Sequence, residues 1–172
     1  MADVTAAMQI PTRSGVQLNV RAATEADEPA LVAFFDKVSD SDRRFRFLTA
    51  AAHVSHDQLE PLVHADHFHS ESFLALDAKS DEIVGSALLA ADAAMDTAEI
   101  AVSIRADYKG KGVGWALLDL LGREAEQRGI RRVISIESRE NHAAIEMERE
   151  KGFVPEPCDG DPTLVILSKT FR

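Results

Sequence analysis

Ile104-Arg105-Ala106-Asp107-Tyr108-Lys109-Gly110-Lys111-Gly112-Val113-Gly114-Trp115-Ala116 is the stretch on which the reading of this chain turns. Three glycines at alternate positions, Gly110, Gly112 and Gly114, separate an apolar run from a long amphipathic pattern. Without side chains they admit unusual backbone angles. Backbone N–H groups at the start of a helix then converge on an anion, with the helix dipole behind them. Lys109 and Lys111 add positive charge. The segment reads as a phosphate cradle, or as a glycine-rich turn without a ligand. A P-loop needs Gly-Lys-Ser/Thr, and Gly-Lys-Gly-Val stands here. A dinucleotide fingerprint wants glycine or alanine three residues after its second glycine, where the two registers give Trp115 or Leu117. It also belongs after the first strand, not two-thirds along the chain. A diphosphate on a shorter loop, as in coenzyme A, is the third option.

The elements on either side follow from periodicity. Ala98 to Ile104 is apolar at nearly every position and reads as a strand buried on both faces. Val113, Leu117, Leu120, Leu121 and Ala125 make one helical stripe, and Gly129 sits where a C-terminal helix glycine belongs. Val133 to Ile136 reads as a strand, Asn141 as the cap of a helix closing at Gly152, and Thr163 to Leu167 as the last strand, after a turn at Asp159-Gly160. Upstream, Val16 to Val20 alternates as a strand does. Thr24 followed by Asp27 marks a helix start, and Leu31, Phe34, Phe35 and Val38 continue it until Ser39-Asp40-Ser41-Asp42. Arg43 to Leu48 extends the helical region; Ser55 to Ala65 is a weaker helix because of Pro61. Phe73 to Leu76 and Ile83 to Leu89 form a hairpin across Asp77 to Glu82. Residues 1–15 show no period and are expected to be an N-terminal tail; residues 16–172 are expected to form one domain. The fold class is α/β, or α+β with a mixed sheet.

Composition sets outer limits. The chain has 172 residues, 45% hydrophobic and 28% charged, which is ordinary for a globular domain. No apolar run reaches the ~18–20 residues of a membrane helix, and residues 1–15 carry no apolar signal core. Cys158 is the sole cysteine, which excludes an intrachain disulfide and points to the cytoplasm. The net charge of −10 argues against nucleic acid as a partner. Its distribution is uneven. Val54 to Ile100 holds ten acidic residues and one basic, whereas Arg105 to Arg132 holds seven basic and four acidic. One half suits cationic partners and the other an anion; both also read as unevenly charged solvated faces.

Three segments together resemble the GNAT superfamily of N-acetyltransferases. The family loop Gln/Arg-x-x-Gly-x-Gly/Ala is matched by Lys109-x-x-Gly112-x-Gly114, with lysine as the departure. Asn141-His142-Ala143-Ala144-Ile145 with Gly152-Phe153 matches a second element, and Arg21 to Asp27 resembles the first strand–helix junction. The match spans roughly residues 16–170. Ser41 to Phe47 and Ala98 to Val102 look most like the acetyltransferase domain of bacterial protein lysine acetyltransferases. The resemblance implies a mostly antiparallel central sheet, flanked by helices and splayed at the pantetheine site. It implies acetyl-CoA as co-substrate and no metal. Main-chain groups of Val102 and Ile104 would bond the pantetheine arm. Lys109, Gly110, Lys111, Gly112, Val113 and Gly114 would cradle the diphosphate, Trp115 would open the helix, and Asn141 would contact the pantetheine or the sulfur end.

The chemistry asks for a base. A lysine of pKa about 10.4 is neutral in roughly one molecule in 2,500 at pH 7, a cost of about 4.6 kcal/mol. A general base is the usual remedy. Glu99 opens the apolar strand, and the resemblance gives a glutamate there this role. In the family a tyrosine often protonates the leaving thiolate; counting from Asn141, Glu148 stands in that place. The only tyrosine, Tyr108, does not align with it. Thiolate then leaves unassisted, or with help from water or a carboxyl of raised pKa.

Five of the six histidines lie between His53 and His69, which suggests a polar loop near the acceptor cleft more than a metal site. Arg43, Arg44 and Arg46 read as a solvated helix edge packed by Phe45 and Phe47. The expected activity is acetyl-CoA-dependent acetylation of a primary amine, with a protein lysine as acceptor. The alternatives are a polyamine or amino sugar as acceptor, a non-catalytic acyl-CoA-binding module, and a nucleotide-binding regulator. The acceptor, the acyl length and the oligomeric state, a homodimer included, stay open.

Overall fold

The computed structural model describes residues 7–47 and 53–171. Eight strands form one sheet: β1 (Met8–Pro11), β2 (Gln17–Ala22), β3 (Ser70–Asp77), β4 (Ile83–Ala91), β5 (Thr97–Ile104), β6 (Arg132–Ser138), β7 (Val154–Pro157) and β8 (Leu164–Thr170). Their order across the sheet is β1-β2-β3-β4-β5-β6-β8-β7. Every neighbouring pair is antiparallel except β5 with β6, which is parallel. The helices are α1 (Glu28–Asp36), α2 (Asp40–Phe47), α3 (His56–Val63), α4 (Val113–Gln127) and α5 (His142–Glu150). Among the described residues, no helix is long and apolar enough to cross a membrane. The mixed sheet with flanking helices agrees with the fold class expected from the sequence.

Period-two alternation distributes the core over both faces of the sheet. Phe73 and Ala75 of β3 pack with α4 through Leu117, Leu120 and Leu121, while Leu74 between them packs with Leu31, Phe34 and Phe35 of α1 and Leu59 and Leu62 of α3. Pro61 does not break α3. Ser55 caps the helix by accepting from the N–H of Gln58, and burial of Leu59, Leu62 and Val63 holds it down. At the other helix start, the Thr24 N–H donates to Asp27 Oδ2 at 2.8 Å. Asp27 also receives the Arg21 guanidinium at 2.8 and 2.9 Å, which lowers its pKa.

α4 reaches the sheet because β4 has no side chain at Gly85. A Cβ there would lie 2.9 Å from Leu117 Cδ1 and 3.3 Å from Val113 Cγ1. Gly85→Val is therefore expected to lower stability by ~1–3 kcal/mol through overpacking. Urea denaturation checks it: a shifted midpoint at unchanged slope is the expected result.

Three expectations need correction. The stretch 1–15 is not all tail: Met8 to Pro11 forms β1, paired with Gln17 to Val20, and Gly15 turns the chain at φ +91°. Met8 and Ile10 supply the alternation, over a span too short to register as a period. β7 has no counterpart among the expected elements; its two prolines and exposed residues mark a strand paired on one side only. β5 is not buried on both faces, since Glu99 is exposed and Ala101 half-buried. Of the expected helix Arg43 to Leu48, Leu48 lies outside the described residues.

Candidate active site

β5 and β6 share register only over Thr97–Arg132, Ala98–Val133 and Glu99–Ile134. Beyond Glu99 they part, although β5 runs on to Ile104 and β6 to Ser138. The parting opens a cleft of about 310 Å³. From Ile100 onward β5 has no strand partner on that side among the described residues. Its main-chain N–H and C=O groups there are open to a ligand that pairs as an added strand does.

Val102 and Ile104 line this edge, and Glu99 lies where the two strands separate. Lys109 and Gly110 line the cleft as well, as does Asn141. The Asn141 side chain also caps α5, accepting from the N–H of Ala144 at 3.4 Å. Lys109 Nζ is 2.8 Å from Asp42 of α2.

The rest of the glycine loop stands outside the cleft lining. Gly110 and Gly112 have φ of +77° and +82°, the left-handed region that glycine tolerates best. Gly112 caps α4, and a Cβ on it would lie 3.3 Å from the backbone N of Arg13. Ser14 Oγ donates to the carbonyl of Lys111 at 2.6 Å. The β1–β2 turn thus braces the loop from outside. Val113 is buried in the core. Gly114 lets α4 approach α5, since its Cβ would meet Met147 at 3.1 Å. Trp115 packs between Arg13 at 4.4 Å and Lys151 at 3.9 Å. For a diphosphate the loop offers the N-terminus of α4, a 15-residue helix without acidic side chains in its first turn, with Lys109 and Lys111 beside it. These features fit an anionic coenzyme A.

α2 supplies what sequence reasoning misplaced. Arg43 is buried, bonding the carbonyls of Phe35 and Val38 at 3.1 and 3.3 Å and Asp40 at 2.7 Å. Phe45 and Arg46 line the cleft instead of a solvated edge. Burial lowers the pKa of Arg46, while the charges of Glu99 and Glu137 raise it. A guanidinium keeps its charge in such a site. The signal is present in the sequence: Asp42, Phe45 and Arg46 stand at i, i+3 and i+4.

Two glutamates complete the cleft. Ser135 Oγ donates to Glu148 Oε2 at 3.1 Å and to Glu137 Oε2 at 3.2 Å, sharing its hydrogen between them. Glu148 is 4% exposed. Burial, together with the hydrogen bond and charge of Glu137, pushes its pKa up to about 10. Burial also raises Glu137, against hydrogen bonds from Glu148 and Ser135 and the charge of Arg46. The sign for stability follows. Folded Glu148 keeps a proton that the unfolded chain releases near its ordinary pKa of 4.5, so stability declines as pH rises from there toward about 10. Glu148→Gln removes that dependence. Its melting temperature relative to the unmodified protein is expected to climb steadily between pH 5 and pH 9 (about two units either side of neutral).

The five histidines between His53 and His69 are not among the residues lining the cleft. Their Nδ1 atoms lie beside carboxylates: His53 with Asp36, His56 with Glu28, His64 with Glu60, His67 with Glu71 and His69 with Asp66, at 2.7–3.1 Å. Among the described residues no group of three or more His, Cys, Asp or Glu could hold a metal ion. Tyr108 donates to Asp77 and is not among the residues lining the cleft.

The family model for the acetyltransferase (GNAT) family matches residues 35–153. The chain is 31% identical over 154 residues to an acetyltransferase from Pseudomonas aeruginosa, covering 88% of this chain and 83% of that protein. Its fold is similar to the GNAT domain of S. lividans PAT, with TM-score 0.88 at 24% identity over 96% of this chain and 97% of the other. It is also similar to spermidine N-acetyltransferase from Vibrio cholerae, solved with CoA and spermine, with TM-score 0.70 at 21% identity over 89% and 95% of the two chains.

Proposed function

The chain belongs to the acetyltransferase (GNAT) family, and from that premise we propose that it transfers acetyl from acetyl-CoA to the side-chain amine of a protein lysine, with Glu99 as general base. The observation that carries the reading is the parting of β5 and β6 at Glu99. It sets an exposed carboxylate at the inner end of an open strand edge. In this reading the main chain of Val102 and Ile104 holds the pantetheine arm. The loop from Lys109 to Gly114 holds the diphosphate, with Trp115 bracing the helix start, and Asn141 stands near the sulfur. The residues of this chain thereby fix the thioester and keep a base within reach of the incoming amine.

Charge in the cleft favours a single amine over a polyamine. Arg46 lines the same cleft as Glu99 and Glu137 and feels the charge of both, and burial raises the pKa of Glu148. A polycation would find few free carboxylates there. Glu99 is exposed, so an amine on a long tether reaches it from the surface. The lone Cys158, a free thiol, fits a cytoplasmic location.

Release of free thiol from acetyl-CoA tests the proposal, with lysine peptides, spermidine or an amino sugar as acceptor. Lysine peptides are expected to give the highest kcat/KM, with an acetyl group on the lysine by mass spectrometry. Higher kcat/KM for a small amine would overturn the acceptor assignment. Acetyl-CoA binding without thiol release from any amine would favour a binding module.

A further inference from the structure

α2 is ion-paired to segments on both sides of the cleft. Lys109, in the loop that follows β5, donates to Asp42 Oδ2 at 2.8 Å. Glu140, in the turn that follows β6, lies 3.6 Å from the Arg44 guanidinium. Asp42, Phe45 and Arg46 of the same helix line the cleft between them. Elsewhere α2 is fixed to α1. Arg43 is buried and bonds the carbonyls of Phe35 and Val38, and Phe47 packs edge-on against Phe35 with ring centroids 5.0 Å apart. Arg46 and Lys109 are the cations lining the cleft among the described residues, and Lys109 is the one on the glycine loop. It does not stand free for an anion. The carboxylate of Asp107, on the same loop, is held by Arg105 at 2.7 Å. Asp42, 67 residues away in the chain, is the carboxylate that takes Lys109. Lys109 is 45% and Asp42 22% exposed, and a pair so open to water is weak enough to be exchanged. A diphosphate offers Lys109 more charge and more acceptor oxygens than one carboxylate does.

We propose that Asp42 is an internal competitor of the donor's diphosphate: it holds Lys109 while the cleft is free and yields it when acetyl-CoA binds. The proposal rests on the donor-site part of the reading above. Asp42 then weakens every ligand that carries the diphosphate, acetyl-CoA and coenzyme A alike. It leaves untouched a ligand that stops at the pantetheine. Binding also releases the tie of α2 to the β5 side, on the helix that carries Phe45 and Arg46 into the cleft.

Calorimetric titration of the protein and of Asp42→Asn with acetyl-CoA, coenzyme A and acetyl-pantetheine tests this. Asparagine keeps the size and the place in the first turn of α2 and loses the charge. The Kd for acetyl-CoA and for coenzyme A should each fall about fivefold, the scale of one partly screened ion pair. The Kd for acetyl-pantetheine should change by less than about twofold. In a Lys109→Met background the same Asp42→Asn change should gain less than about twofold, because no pair remains to be broken. Asp42→Ser, also uncharged and suited to a first helix turn, is the second variant should asparagine disturb folding. Unchanged or weaker acetyl-CoA binding by both uncharged variants overturns the competitor role. So does an equal gain with and without Lys109, which is repulsion between Asp42 and the diphosphate alone. An equal gain for acetyl-pantetheine overturns it as well, since the cleft is then reshaped. An unmodified protein that binds no acetyl-CoA overturns the donor site and the competitor together.

Discussion

Glu99→Gln is expected to lower kcat by ~10²–10³-fold, the usual contribution of a positioned general base. The affinity for acetyl-CoA should stay within about twofold, because the change removes a proton acceptor and no strand pairing. Glu99 ends the shared register of β5 and β6, opposite Ile134, and its side chain is exposed. Glutamine keeps the backbone register and nearly the same volume. At pH 7 the base draws on the roughly one lysine in 2,500 that is neutral. The loss should therefore shrink at high pH, where the amine deprotonates without help. Steady-state kinetics from pH 7 to pH 10 (the span of lysine's own titration) check it. A parallel loss of kcat and acetyl-CoA affinity would make Glu99 a structural residue.

The second large effect is expected at Gly112. Its φ of +82° costs alanine ~1–2 kcal/mol and aspartate less, and a Cβ on it would lie 3.3 Å from the backbone of Arg13. Gly112→Asp adds a negative charge at the N-terminus of α4, where an anion is to be held. Acetyl-CoA affinity should drop ~100-fold or more, about 2.7 kcal/mol. Gly112→Ala, which carries the strain without the charge, should lose less. Calorimetry on both variants separates the two causes. Equal losses would mean that the β1–β2 turn was displaced and that charge had no part.

The glycine loop, α4 and the capped start of α5 were legible because each rests on local chemistry: glycine at positive φ, a 3.6-residue stripe and an Asn cap. Glu99 was legible as the polar residue opening an apolar strand. What the sequence concealed depends on packing between distant segments. Arg46 stands on a helix that looked solvated, and its surroundings exist only once α2 packs over β5. Glu137 and Glu148 are eleven residues apart, on a strand and a helix, and become a pair only when α5 folds back on β6. β1 and β7, of four residues each, are too short to show a period, and β7 carries two prolines, which strands disfavour. The solvated face of β5 was hidden for another reason. Ala101 and Val102 look like core until β6 turns away beyond Glu99.

In the proposed function the parted strands and the glycine loop hold acetyl-CoA for transfer to an amine. The most direct test is a calorimetric titration of the purified protein with acetyl-CoA at moderate salt. One site with micromolar Kd, about −8 kcal/mol, is the expected result. No binding at millimolar acetyl-CoA, weaker than about −4 kcal/mol, would contradict it.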